Sequence, residues 1–146
     1  MLGFFFRETM RGNYYLLDSP LEERALELTL KVETRKLRQF LRDRTCTISG
    51  EVIAEGITKG AKLEGTLAFR ERRLPYDFTF KGDNGKTYRF RGQKDWSWFA
   101  PAESVSTLPA SLLDETGAEV GRSVVRFDLR GDTAEFLKSF RPQLTL

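Results

Sequence analysis

The residue types most used for nucleophilic and metal chemistry are scarce in this chain. It has no histidine and one cysteine, Cys46, in 146 residues. Ser-His-Asp and Cys-His sites are therefore excluded, as are the common zinc sites. A histidine-free enzyme would have to use carboxylates, Lys, Tyr or a cofactor. Cys46 shares an apolar alternation with Ile48, a setting in which cysteine is usually a small buried hydrophobe. Glu22-Glu23 fall in a stretch that reads as a surface turn. A glycosidase-like pair needs two carboxylates facing one cleft, and these two read as a solvated face. Gly56-Ile57-Thr58-Lys59-Gly60 has glycine and lysine but neither GxxxxGK[ST] nor GxGxxG, so it reads as a hairpin turn. No Rossmann or P-loop cofactor site can be assembled, and no cofactor or metal site is expected.

The compositional anomaly is an aromatic and basic stretch over residues 69–99. It holds Phe69, Tyr76, Phe78, Phe80, Tyr88, Phe90, Trp96, Trp98 and Phe99, half of the chain's aromatic residues. Arg70, Arg72, Arg73, Lys81, Lys86, Arg89, Arg91 and Lys94 are interleaved with them. Aromatic and basic side chains on one exposed sheet face would suit single-stranded nucleic acid. Alternation instead puts Tyr76, Phe78, Phe80, Tyr88 and Phe90 on one face and the basic side chains on the other. The aromatic face thus reads as a core or the wall of an apolar pocket, and a nucleic-acid partner is disfavoured. Trp96-Ser97-Trp98 sets two indoles on one side of an extended segment, which suits a pocket mouth, an interface or an ordinary core.

The elements that position these residues are mostly strands. Leu26, Leu28, Leu30 and Val32 alternate with polar residues, as do Leu63, Gly65, Leu67 and Phe69. Tyr76-Phe78-Phe80 and Tyr88-Phe90 flank Gly82-Asp83-Asn84-Gly85, a strong hairpin signal. Residues 45–54 alternate through Cys46 and Ile48, with Gly50 expected to mark a bulge that shifts the phase. Residues 106–114 form a strand that Pro109 places at a sheet edge, and residues 118–129 another. Helical spacing occurs twice. Thr34 can cap a helix bearing Leu37, Phe40 and Leu41, near residues 35–42. Asp132 or Thr133 can cap one bearing Phe136, Leu137 and Phe140, near residues 133–140, which Pro142 stops. The two strand-then-helix units echo each other, a connection common enough to need no duplication.

Length and composition fit one globular domain spanning residues 1–146, with 40% hydrophobic and 31% charged residues. The net charge of +3 is too mild to argue a polyanionic partner by itself. No apolar stretch reaches the roughly 20 residues of a membrane helix, and no signal peptide is visible, which leans towards a soluble, cytoplasmic protein.

Several of these positions together carry a resemblance. Phe6-Arg7-Glu8-Thr9-Met10-Arg11-Gly12 reads F-x-E-x-M-x-G. Gly65-Leu67-Phe69, Tyr76-Phe78-Phe80, Gly85, Tyr88, Phe90, Gly92 and Lys94 follow, and Gly121 precedes Phe136-Leu137-Lys138-Ser139. This order resembles the accessory β region of bacterial cholesterol-oxidase-like flavoproteins of the glucose–methanol–choline oxidoreductase group, and related stand-alone proteins of unassigned function. The resemblance spans nearly the whole chain through loose glycine and aromatic patterns. It implies association with sterol or lipid oxidation and an oxidoreductase partner, and it transfers no catalytic or flavin-binding residue. Glu8 and Lys94 are the polar members of its motifs. If both reached one pocket, they would form an acid–base pair, a binding pair or a structural ion pair.

The expected fold is mainly β: an antiparallel barrel or sandwich of calycin-like kind, with two short helices over its ends or open edge. The leading expected function is a non-enzymatic module that binds an apolar ligand, a lipid or sterol, or associates with a lipid-oxidising enzyme. Tyr76, Phe78, Tyr88, Phe90, Trp96 and Trp98 are the expected ligand contacts. The alternatives are an interaction or dimerisation domain with a solid core, and an enzyme using carboxylate and lysine chemistry. An internal cavity of several hundred Å³ would separate the first reading from the second.

Overall fold

The computed structural model describes residues 2–34, 37–95, 107–127 and 141–144. Among these residues nine strands run β1 (Leu2–Leu16), β2 (Arg24–Glu33), β3 (Thr45–Ala54), β4 (Thr58–Ala68), β5 (Arg73–Lys81), β6 (Thr87–Asp95), β7 (Thr107–Leu113), β8 (Glu119–Phe127) and β9 (Arg141–Leu144), with α1 (Leu37–Asp43) between β2 and β3. Consecutive strands from β2 to β8 pair antiparallel. β1 closes the ring, pairing with β2 over Phe5–Tyr14 and with β8 over Met10–Leu16. The result is a closed eight-stranded antiparallel barrel, not a sandwich. β9 adds to β1 below β8, opposite Leu2–Phe5.

Alternation sends one set of side chains into the barrel. Leu26, Leu28, Leu30 and Val32 from β2, Leu63 and Leu67 from β4, and Tyr76, Phe78 and Phe80 from β5 are all buried. β1 is the longest strand, yet it lacks a clean apolar alternation. Its inward positions include Glu8, Met10, Gly12 and Tyr14, a mixed set that conceals a strand in the sequence. The Tyr76–Phe90 hairpin forms as expected. The Gly85 amide donates to the Gly82 carbonyl at 3.0 Å, and Gly85 takes φ +83, which glycine adopts without a Cβ penalty.

Two expectations are corrected. Gly50 causes no phase shift: Cys46, Ile48, Val52 and Ala54 are all buried on one face of an unbroken β3. The register irregularity lies instead at Val52/Ala54, against β4. Gly50 is needed for close approach, because at φ +147 a Cβ there would run into the carbonyl oxygen of Thr29 on β2. Pro109 does not mark an edge, since β7 lies between β6 and β8. β7 tolerates it because the β6–β7 ladder covers only Arg89–Gly92 against Ala110–Leu113, leaving Pro109 just beyond its end.

α1 is the one helix among the described residues; the helix expected over 133–140 lies outside them. α1 ends where Arg44 turns left-handed (φ 56) and its amide donates to the Phe40 carbonyl at 2.7 Å. Asp43 Oδ1 then accepts from the Thr45 amide at 3.0 Å, starting β3. No helix among the described residues is long and apolar enough to cross a membrane.

Candidate functional site

Strand direction divides the barrel into two ends. At the upper end, residues 17–23, 55–57, 82–86 and 114–118 connect the strands. The lower end carries α1 and the 69–72 turn.

The aromatic side chains expected to contact ligand are placed mostly in the core. Phe78 and Phe90 stack at 4.6 Å between ring centroids, with Phe80 against Phe78 at 6.3 Å. Phe78 and Phe90 are no more than 2% exposed. Tyr88 shares their face but is half-buried, stacked on Phe80 at 5.7 Å near the upper rim. Above the Phe90 ring a void of about 10 Å³ lies among Tyr14, Leu26, Val52, Ile57, Leu112 and Ser123, room for about one water molecule. Ser123 Oγ, which borders it, has no hydrogen-bond partner among the described residues. The upper half of the interior is therefore filled by protein, and the cavity of several hundred Å³ that would mark a ligand-filled interior is not found there among the described residues. Trp96 and Trp98 lie outside the described residues.

The lower half holds the charge. Glu8 of β1 and Lys94 of β6, 86 residues apart, both point inward and meet with Lys94 Nζ donating to Glu8 Oε2 at 3.2 Å. Lys94 thus departs from the expected basic outer face: it is in phase with Tyr88 and Phe90 on β6, so the alternation that buries Phe90 buries it too. Tyr76 of β5 completes the group, its hydroxyl donating to Glu8 Oε1 at 2.6 Å. The ammonium also lies 5.2 Å from the centroid of the Tyr76 ring. All three residues are at most 7% exposed. Burial, and then the neighbouring Glu8 charge, push the Tyr76 phenol well above its ordinary value, so it stays a donor. Register explains the meeting: Tyr76 sits opposite Gly92, two residues before Lys94 on β6, while Glu8 lies across the interior.

Below this group the inward positions turn aromatic and only half-buried. Phe6, Phe69, Leu74 and Phe127 pack against the core from its lower side, with Phe40 of α1 meeting Phe69 edge-to-face at 5.5 Å. Lys94 stands directly across from Leu74. A polar cluster thus lies immediately inside an apolar rim. Tyr76 was expected as an aromatic ligand contact, and the alternation gave no sign that its hydroxyl would join Glu8 and Lys94.

Other groups are accounted for without a site. Cys46 is buried, and burial, then the charge of Asp43, push its thiol up to about 12, so it is not a thiolate nucleophile. Among the described residues no three His, Cys, Asp or Glu side chains gather as metal ligands. An open trough of about 860 Å³ crosses the outer wall of β5–β8 and β1. Its charged lining is largely internally paired: Asp77 receives Arg89 at 2.5 Å and Arg91 at 3.8 Å, and Arg122 meets Glu119 at 2.6 Å.

No family model matches the chain, and no curated protein matches it. Among solved structures it is similar to mFAP1, a redesigned β-barrel bound to DFHBI. That match has a TM-score of 0.50 at 10% identity, over 82% of this chain and 92% of that one. A second match is a de novo designed fluorescence-activating β-barrel, with a TM-score of 0.46 at 12% identity, over 83% and 92% of the two chains. At such identity the likeness to mFAP1 shows the barrel fold alone.

Proposed function

We propose that this chain is a non-enzymatic binding module that takes a small, mostly apolar molecule at the lower mouth of its barrel. The observation that carries this reading is the buried Glu8–Tyr76–Lys94 cluster directly inside a rim of Phe6, Phe69, Leu74 and Phe127. Ligand sites are mainly apolar, with a few placed polar groups, and barrel mouths are a usual place for them. Burying an ion pair rarely repays its desolvation in stability, and a hydrophobic replacement is often as good. Glu8 and Lys94 are the only buried charged side chains among the described residues, and a pair kept at that cost fits a binding role. That a barrel of this fold can hold a small molecule is supported by mFAP1, which is bound to DFHBI.

Sterols and other lipids are the finer form of this proposal, as is association with a lipid-oxidising enzyme. Both rest on the glycine and aromatic resemblance. The test is a thermal-shift and intrinsic-fluorescence screen against sterols, fatty acids and retinoids. Ligand at 100 times its dissociation constant stabilises by about 2.7 kcal/mol, which raises the melting temperature measurably. No shift and no change in tryptophan emission with any of these compounds would overturn the proposal.

A second reading has its own observation. The Phe78–Phe90 stack and the void of about 10 Å³ make the upper half a solid core, as an interaction or dimerisation domain would have. Light scattering across a concentration series tests it: a monomer at every concentration counts against self-association.

A further inference from the structure

We infer that the ligand presents a neutral hydrogen-bond acceptor, a carbonyl or hydroxyl oxygen, to Lys94, and that a free carboxylate is rejected there. The inference rests on the proposed mouth site and follows from counting donors and charges. An ammonium has three N–H donors. Lys94 is 4% exposed, and among the described residues it gives one hydrogen bond, to Glu8 Oε2 at 3.2 Å. Its remaining contact is with the Tyr76 ring face, which takes no conventional hydrogen bond. The Tyr76 hydroxyl is committed to Glu8 Oε1 at 2.6 Å. Lys94 is thus the member of the cluster with donors to offer, and the incoming group must be an acceptor.

Charge selects among acceptors. Glu8 and Lys94 already neutralise each other, and both side chains are at most 6% exposed. A neutral oxygen accepting from Lys94 leaves the buried sum at zero. A carboxylate would leave a net negative charge in a low-dielectric interior, beside Glu8, where like charges repel strongly. A hydrocarbon would leave the ammonium donors unmatched. The same skeleton should therefore bind in the order ketone or alcohol first, then hydrocarbon and carboxylate.

The experiment uses 2-decanone, 1-decanol, decanoate and decane, titrated against the full chain at pH 7.5 by calorimetry and by competition with an environment-sensitive fluorophore. A hydrogen bond to a charged group is worth about 1.5–3 kcal/mol, so the ketone and alcohol should bind at least about 10-fold tighter than decane and decanoate. Decanoate binding tightest, or all four binding alike, would overturn the inference while leaving the mouth site standing. Binding of none would overturn both. The Glu8→Gln variant adds a readout that a merely structural pair would not move. It turns the buried sum positive and should promote decanoate from weakest to tightest, with decanoate raising the melting temperature of the variant. If Glu8→Gln does not fold, the wild-type series decides by itself.

Discussion

The two ends of this barrel are built on different physics. The upper end is closed by short connections tied to one another by hydrogen bonds. Asp83 accepts from Thr58 Oγ1 at 3.0 Å and from the Lys59 amide at 3.1 Å, and its own amide donates to the Ile57 carbonyl at 2.9 Å. Glu115 receives the Thr87 amide at 2.8 Å, and the Tyr14 hydroxyl donates to the Glu55 carbonyl. Beneath these turns the interior is stacked phenylalanine and aliphatic side chains. The lower end instead carries a helix, half-buried phenyl rings and a buried ion pair with its tyrosine. One end is organised for packing and closure. The other keeps charge in the interior, where it is costly unless matched, and that end is where recognition is proposed.

This contrast can be broken from either side. The largest effects come from removing what each half depends on. Phe90→Ala deletes one ring of the upper stack and should cost about 3–5 kcal/mol in urea unfolding. Lys94→Met, nearly the same volume, should cost a similar amount of about 3–5 kcal/mol because it strands Glu8 without a counter-ion. The double change Glu8→Gln with Lys94→Met should recover most of that loss. A Lys94→Met cost below about 1 kcal/mol would show that the lower half is not governed by its charge. Asp83→Ala, which unties two upper turns, should cost about 1–2 kcal/mol and leave ligand binding at the mouth unchanged. Altered binding in that variant would erase the distinction between the ends.

The smallest effect is in pH. The Tyr76 phenol is raised in the folded state and ordinary in the unfolded chain, so its contribution is full below about pH 10 and is lost as pH rises above that, by at most about 1.4 kcal/mol per pH unit. Melting temperatures between pH 8 and 11 should fall less steeply in Tyr76→Phe than in the wild type. Equal slopes would mean that Tyr76 is not held as a buried donor.

The sequence exposes the upper half far better than the lower. Leu26–Leu28, Phe78–Phe80 and Tyr88–Phe90 alternate cleanly because one face of each is apolar core, and Asn84-Gly85 supplies the left-handed residue that the hairpin needs. β1 escapes notice because it passes through both regimes, with Glu8 and Gly12 at inward positions. Gly50 and Pro109 mislead for a related reason. Each has a local meaning, bulge or edge, that a neighbouring strand overrides: Thr29 crowds Gly50, and the ladder of β6 stops before Pro109.

Composition and spacing by themselves determined that the protein is a β domain without histidine chemistry and that Lys81, Arg89 and Arg91 point away from its aromatic face. Those properties depend on residue type and a period of two, both local. Only the tertiary structure decided that the sheet closes on itself, that the expected pocket wall is largely a packed stack, and that Glu8, Tyr76 and Lys94 share one buried cluster. Strand order and register bring together residues up to 86 positions apart, and no local pattern encodes which inward side chains will face each other across a closed barrel.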